Sequence, residues 1–191
     1  MKKVLFLLLA CLQLQVVLAG ENGPPTTARP RFSLAVWAGM RTIASADFEN
    51  IYGSGKPAFG LDMGCRLGKR IEVFFAGDRL AANGELTFSK EPTQLQLTAL
   101  EGGARFRVPL GRFVAAVGAG AGYYLVKEEN VIGVLDEKKM GFFAMADLRL
   151  PLARRFFAAL RMKFVSLKLK PFLKSIDLGG LFFGGGLGVT F

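Results

Sequence analysis

One phrase occurs three times in this chain and limits what the chain can fold into. It reads R-L-G-K-R-I-E-V-F-F from Arg66, R-V-P-L-G-R-F-V-A-A from Arg107 and R-L-P-L-A-R-R-F-F-A-A from Arg149, with starts 41 and 42 residues apart. Each copy is a strand ending on arginine, a tight turn of Pro, Gly or Ala, then a basic residue and an apolar run. Turns this short join neighbouring antiparallel strands, so the repeating unit is an up-and-down hairpin pair. Longer polar connections lie between the tight turns, near residues 41–57, 80–93, 127–138 and 170–177. Eight strands follow, near 31–40, 58–67, 71–79, 94–108, 113–126, 139–150, 155–169 and 178–191. Helices are disfavoured by glycine at every second position from Gly118 to Gly122 and by Gly184, Gly185 and Gly186 in a row. Each such glycine costs a helix about 1 kcal/mol.

The strands alternate with period two, which assigns their faces. Phe32, Leu34, Val36, Ala38 and Met40 share one face of the first strand. Phe59, Leu61, Met63, Cys65 and Leu67 share one face of the second, opposite Gly60, Asp62, Gly64 and Arg66. The sixth and seventh strands repeat the scheme, with Asp147 and Arg149, then Arg161 and Lys163, on the polar side. One face is thus continuously apolar, and the other mixes glycine with charges of both signs. The acids of that face are Asp62, Glu72, Asp78, Glu101 and Asp147, and the bases are Arg66, Arg105, Arg107, Arg149, Arg161 and Lys163. Five against six is nearly balanced, as buried ions require, because an unpaired one costs several kcal/mol. The pattern predicts an all-β fold, an eight-stranded antiparallel up-and-down transmembrane β-barrel with these charges as an interior network. Short turns on one side and long loops on the other are the asymmetry of such barrels. Two strands break phase: Leu95 and Leu97 against Leu100 and Ala104, and Leu167 and Leu169 against Phe164. A β-bulge or an exit from the membrane near each break accounts for this.

The N-terminus reads as a signal peptide over residues 1–19. Lys2 and Lys3 open it, an apolar run begins at Val4, and Val17-Leu18-Ala19 forms a small-residue cleavage site before Gly20. A Pro-rich lead-in spans 20–30 and the barrel 31–191. Nowhere after the signal are there 18 uninterrupted apolar residues for a spanning helix. Removing Lys2 and Lys3 from the 25 basic residues leaves 23 against 15 acidic, a formal +8 that suits anionic lipid head groups better than nucleic acid in an exported apolar chain. Cys65 is the only cysteine after the signal, so no internal disulfide forms. The chain has no histidine. That removes Ser-His-Asp and Cys-His catalysis and histidine metal ligation, and no cofactor is expected.

The last strand carries a more specific sign. Gly179, Leu181, Phe183, Gly185, Leu187, Val189 and Phe191 form one face, and the chain stops on phenylalanine. This resembles the C-terminal signal that the barrel-assembly machinery reads in bacterial outer-membrane proteins, with Phe183, Leu187, Val189 and Phe191 as its side chains. Residues 31–191 as a whole resemble the small OmpA/OmpX-like eight-stranded barrel family. The resemblance implies a monomer in the outer membrane, in contact with its lipids and lipopolysaccharide. It departs from the family in offering only Trp37, Tyr52, Tyr123 and Tyr124 as interface aromatics, so the 18 phenylalanines are expected to form the girdle. No peptidoglycan-binding domain follows Phe191, so no cell-wall tether is implied.

Eight strands leave an interior that side chains can fill. The expected function is therefore non-enzymatic, a structural or surface-interaction role in the cell envelope. An OmpW-like conduit for small or hydrophobic solutes and an exported lipocalin-like binding barrel are the alternatives. Barrel acyltransferases, deacylases and omptin proteases share the architecture but rely on histidine. Lys69, Arg70, Arg112, Arg154 and Arg155 at the tight turns are placed to meet lipid phosphates. Glu85, Lys90 and Glu91 of the second loop and the apolar Val131, Ile132, Val134 and Leu135 of the third suit a partner surface or a hairpin continued above the membrane.

Overall fold

A computed structural model describes residues 32–85, 90–130, 133–169 and 176–191. The signal peptide, the Pro-rich lead-in, Val131 and Ile132 lie outside the described residues. Eight antiparallel strands close into a barrel: β1 (Phe32–Arg41), β2 (Lys56–Leu67), β3 (Ile71–Glu85), β4 (Pro92–Leu110), β5 (Phe113–Asn130), β6 (Gly133–Pro151), β7 (Phe156–Ser166) and β8 (Gly180–Thr190). Each strand pairs with its sequence neighbours, and β8 returns to pair with β1 from Ser33↔Thr190 to Arg41↔Phe182. The barrel has no open sheet edge, which a lipid environment demands of any spanning sheet. No described helix is long and apolar enough to cross a membrane.

The short-turn end closes tightly. Leu110 pairs with Phe113, leaving Gly111-Arg112 as a two-residue turn. Gly111 has φ 60° and Gly68, in the β2–β3 turn, has φ 77°. Both angles lie in the left-handed region that favours glycine. Lys69, Arg70, Arg112, Arg154 and Arg155 are exposed on these turns.

The opposite end differs from the sequence expectation in three ways. The connections expected over 80–93 and 127–138 are largely strand: β3 runs to Glu85, β4 starts at Pro92, β5 reaches Asn130 and β6 starts at Gly133. Their ladders stay in register to the tips, with Glu85↔Pro92 and Asn130↔Gly133. The connection over 41–57 contains a short helix, α1 (Ala46–Tyr52), whose Ser45 side chain accepts a hydrogen bond from the Phe48 N–H. Gly53 ends it at φ 77°. The two phase breaks are not bulges. The β4–β5 ladder pairs residue for residue through the first region, and the second lies beyond the end of β7, where Lys168–Leu169 pairs with Ile176–Asp177 in a separate two-stranded sheet. Leu95, Leu97 and Leu167 stay on the inner face, where the filling has become apolar, while Gln94, Gln96, Ser166 and Lys168 turn outward.

The outer wall is apolar. Phe59, Phe142 and Phe183 are 63 %, 69 % and 59 % exposed, and Leu61, Val117, Leu160 and Leu187 stand beside them. Charges of the same strands are buried inside. This sidedness is the reverse of a soluble binding barrel, whose apolar residues line the cavity. Three of the four expected interface aromatics are not on the girdle. Trp37, Tyr52 and Tyr124 are buried, and only Tyr123 is exposed. Parity explains Trp37 and Tyr124: Trp37 shares the inner side of β1 with Ser33 and Ala35, and Tyr124 that of β5 with Gly120 and Gly122.

Candidate functional site

The interior is the one place where polar chemistry concentrates, and glycine makes room for it. A Cβ on Gly118 would stand 2.7 Å from Arg105 Cβ, and one on Gly64 2.9 Å from an Arg105 guanidinium nitrogen. A Cβ on Gly186 would meet the Trp37 ring at 2.7 Å, and one on Gly122 would meet the Glu101 side chain at 2.8 Å. Gly118, Gly122 and Gly186 are the cross-strand neighbours of Arg105, Glu101 and Trp37, so glycine leaves room beside the large inward side chains, as a narrow barrel requires.

Arg105, on β4, is the hub of the half nearest the short turns. Its two terminal nitrogens each lie 2.9 Å from an Asp62 oxygen, a bidentate pair across from β2. Its Nε donates to Glu72 Oε1 at 3.1 Å, and a terminal nitrogen reaches Asp147 Oδ2 at 3.3 Å. Arg161, on β7, grips Asp147 in the same way at 2.7 and 2.9 Å and reaches Asp62 at 2.8 Å. Arg107 holds Glu72 Oε2 at 2.8 Å, with Ser33 Oγ donating to Oε1 at 3.1 Å. Arg149 stands farther off, 3.5 Å from Glu72 and 3.7 Å from Asp147. Arg66, half-buried, is the cross-strand neighbour of Glu72. The planar guanidinium fork suits such two-point grips, which lysine cannot make. The faces of the arginines are covered as well: Arg161 lies 3.8 Å from the Trp37 ring centroid, Arg105 4.8 Å from Phe74 and Arg149 5.0 Å from Phe157.

A second, smaller polar group lies above it. Lys163 pairs with Asp78 and, at 2.7 Å, with Glu101, which also accepts the Tyr124 hydroxyl proton at 2.8 Å. Arg41 completes it from β1 and donates to the Leu178 carbonyl at 3.3 Å. Tyr124 was read as an interface aromatic, and Arg41 escaped the sequence reading because it sits on the last residue of its strand. Its parity with Ala35 and Trp37 was the available signal.

Above this layer the filling is apolar. Leu80, Leu95, Leu97, Val126, Val165, Leu167 and Phe182 form one buried cluster with Phe48 and Tyr52 of α1. The helix is tied down through Tyr52, whose hydroxyl donates to Glu128 at 2.8 Å and lies 3.0 Å from Thr93 Oγ1. Burial pushes the Tyr52 phenol pKa above its ordinary value. No cluster of three metal-ligating side chains occurs among the described residues.

No protein-family model matches the sequence, and no curated protein matches it. Solved structures do. The outer membrane protein OprG from Pseudomonas aeruginosa superposes with a TM-score of 0.66 at 8 % identity, over 84 % of this chain and 95 % of that one. Ail, the attachment invasion locus protein of Yersinia pestis, gives 0.56 at 14 % identity over 85 % and 99 %. Outer membrane protein W of E. coli gives 0.51 at 15 % identity over 83 % and 97 %. The fold is that of the small outer-membrane β-barrels. Within that fold, this chain's interior is crossed by ion pairs and topped by an apolar layer. The Ail structure holds a heparin analogue, sucrose octasulfate.

Proposed function

We propose that this protein is a non-enzymatic, monomeric barrel of the outer membrane with a structural or surface-presenting role, not a pore. The observation that carries the reading is the filling. Asp62, Glu72, Arg105, Asp147 and Arg161 bridge the lumen from five strands, and a layer of leucine, valine and aromatic side chains covers them. A water-filled path needs an open polar lumen, and this one is closed twice by different chemistry. The long-loop end then faces outward, with α1 and the β3–β4 and β5–β6 hairpins forming one platform through Tyr52, Thr93 and Glu128. Export through a cleaved signal at residues 1–19 fits this location. The apolar wall meets lipid, and the turn cations suit lipid phosphates. Phe183, Leu187, Val189 and Phe191, on or just beyond the strand that closes the barrel, are proposed as the surface the assembly machinery reads. All but the half-buried Val189 are exposed.

Refolding the chain from urea into micelles tests the location. A strand spectrum and a heat-dependent gel shift, seen only with detergent or lipid, are expected. Planar-bilayer recording tests the plug. Quiet membranes are expected, and stable unitary currents would sink the plugged-barrel reading and favour the conduit.

A further inference from the structure

We infer that the lumen binds a small tetrahedral oxyanion of the phosphate class at its short-turn end, gripped by Arg149 and Arg107. The site goes beyond the plugged-barrel reading. Charge is the first argument. In the upper polar group two cations, Arg41 and Lys163, meet two carboxylates, Asp78 and Glu101. In the lower group Arg105, Arg107, Arg149 and Arg161 meet Asp62, Glu72 and Asp147. Among the described residues one positive charge is thus in excess there, even with Arg66 left out of the count. A buried charge without a counter-charge is strongly destabilising. Water can satisfy its hydrogen bonds but cannot cancel the charge.

Hydrogen bonding singles out the cation in excess. Both oxygens of Asp62, of Glu72 and of Asp147 already accept from Arg105, Arg107 or Arg161, each at between 2.7 and 3.1 Å. Arg149 comes no nearer than 3.5 Å to Glu72 and 3.7 Å to Asp147, beyond the roughly 2.7–3.2 Å of a good N–H···O bond. Its Nε is buried with no hydrogen-bond partner, and its side chain is only 4 % exposed. A buried guanidinium so placed calls for a further acceptor. Phe157 covers one face of Arg149, so the anion meets the edge of the fork. Arg107 and Arg149 both stand on Glu72 Oε2, at 2.8 and 3.5 Å, so their forks are neighbours. The Arg107 side chain is 13 % exposed and reaches the barrel mouth. Around that mouth Lys69, Arg70, Arg112, Arg154 and Arg155 are exposed, a field that draws anions in. Two adjacent forks suit the several oxygens of a phosphate, which a guanidinium grips at two points. The barrel wall stands between this point and lipid, so the anion is a free one and not a headgroup.

The full chain, refolded in a nonionic detergent without phosphate, is titrated with inorganic phosphate and, at matched ionic strength, with chloride. Labelled phosphate should bind saturably to the folded chain and not to the chain in urea. The urea midpoint should rise with phosphate and level off. Chloride should need at least about tenfold more to match it, having no oxygens for a fork to grip. Arg149→Met should abolish both responses with the gel shift intact, and Arg112→Gln on the rim should keep both. Without phosphate, Arg149→Met should unfold no earlier than the native chain, since it removes the excess charge. A native chain that binds no phosphate overturns the proposal whatever the variants do. So does binding that survives Arg149→Met, or a midpoint that follows ionic strength alone. A marked loss of stability in Arg149→Met without phosphate overturns it too, because Glu72 and Asp147 would then satisfy Arg149 by themselves. Channel recording bears on the plug and not on this site, so the two readings fail separately.

Discussion

The two halves of the barrel interior have the same walls and opposite fillings. Near the short turns, glycine-lined strands enclose arginines and carboxylates; towards the long loops, the same strand faces enclose leucine, valine and phenylalanine. The charged half is specified by direction, since each guanidinium fork fits one arrangement of oxygens. The apolar half is specified by volume, and it continues into Phe48 and Tyr52 of α1. Charges surrounded by an apolar wall must find partners at once, so ion pairs there fix strand order across the lumen. Close to the loops water is near, and an apolar core is the simpler way to exclude it.

The largest break in this comparison is expected at Arg105. Arg105→Ala leaves Asp62, Glu72 and part of Asp147 without their main partner, and removing one member of a buried ion pair costs about 3–5 kcal/mol. Equilibrium urea unfolding in micelles measures it. A loss below about 1 kcal/mol would mean that the carboxylates find other partners, and Arg105 would not be the hub. Next comes the apolar half. Leu97 is 1 % exposed within its cluster. Leu97→Ala should cost about 2–3 kcal/mol, towards the lower end of buried leucine truncations because the loop end can settle into the gap. Salt should not separate the two. Added salt should leave the Leu97→Ala loss unchanged and should also barely touch Arg105→Ala, whose partners are shielded from ions.

Much of this was readable from the residues, for a physical reason. Period two sorts every strand position onto one face, so the charges at Asp62, Glu72, Arg105, Asp147 and Arg161 could be grouped before any contact was known. What parity does not say is depth along the barrel. Leu95 and Leu97 read as a phase break because the inner face was expected to stay polar, whereas the inner face itself changes chemistry on the way up. Residue type, not depth, hid the roles of Trp37 and Tyr124. Both were weighed as interface aromatics by residue type, although their parity places them inside against Arg161 and Glu101. The helix α1 was missed because seven residues offer too little periodicity, and its clearest sign was the Ser45 cap.

The join between the filled barrel and the outer platform gives a smaller effect. Tyr52→Phe keeps the ring in the apolar cluster and removes only the hydroxyl, which serves Thr93 and Glu128. A hydrogen bond to a charged acceptor makes the loss about 1–2 kcal/mol. The folded phenol is raised above the ordinary tyrosine value of 10.0, so its contribution is complete below pH 10.0 and falls as pH climbs through the folded value. Native Tyr52 should therefore lose its advantage over Tyr52→Phe only in strong alkali. Hydrogen exchange of the α1 amides follows it. An advantage that is absent at neutral pH would mean that the hydroxyl does not hold the helix.

The smallest effect is expected at Lys127 and Glu129, on the outer side of the β5 tip. They form an ion pair as the lumen residues do, yet each side chain is 49 % exposed. Water screens the attraction and the long side chains lose freedom in holding it, so exposed pairs contribute about 0–1 kcal/mol. Lys127→Ala should leave the urea midpoint close to that of the native chain, and any small shift should vanish in molar salt. The same pairing chemistry would then be worth several kcal/mol at Arg105 and almost nothing at Lys127. Burial, and not the number of ion pairs, would be what separates the barrel's locked lower half from its solvated rim. A loss at Lys127 comparable to that at Arg105 would overturn that ordering and require the β5–β6 tip to be buried against something else.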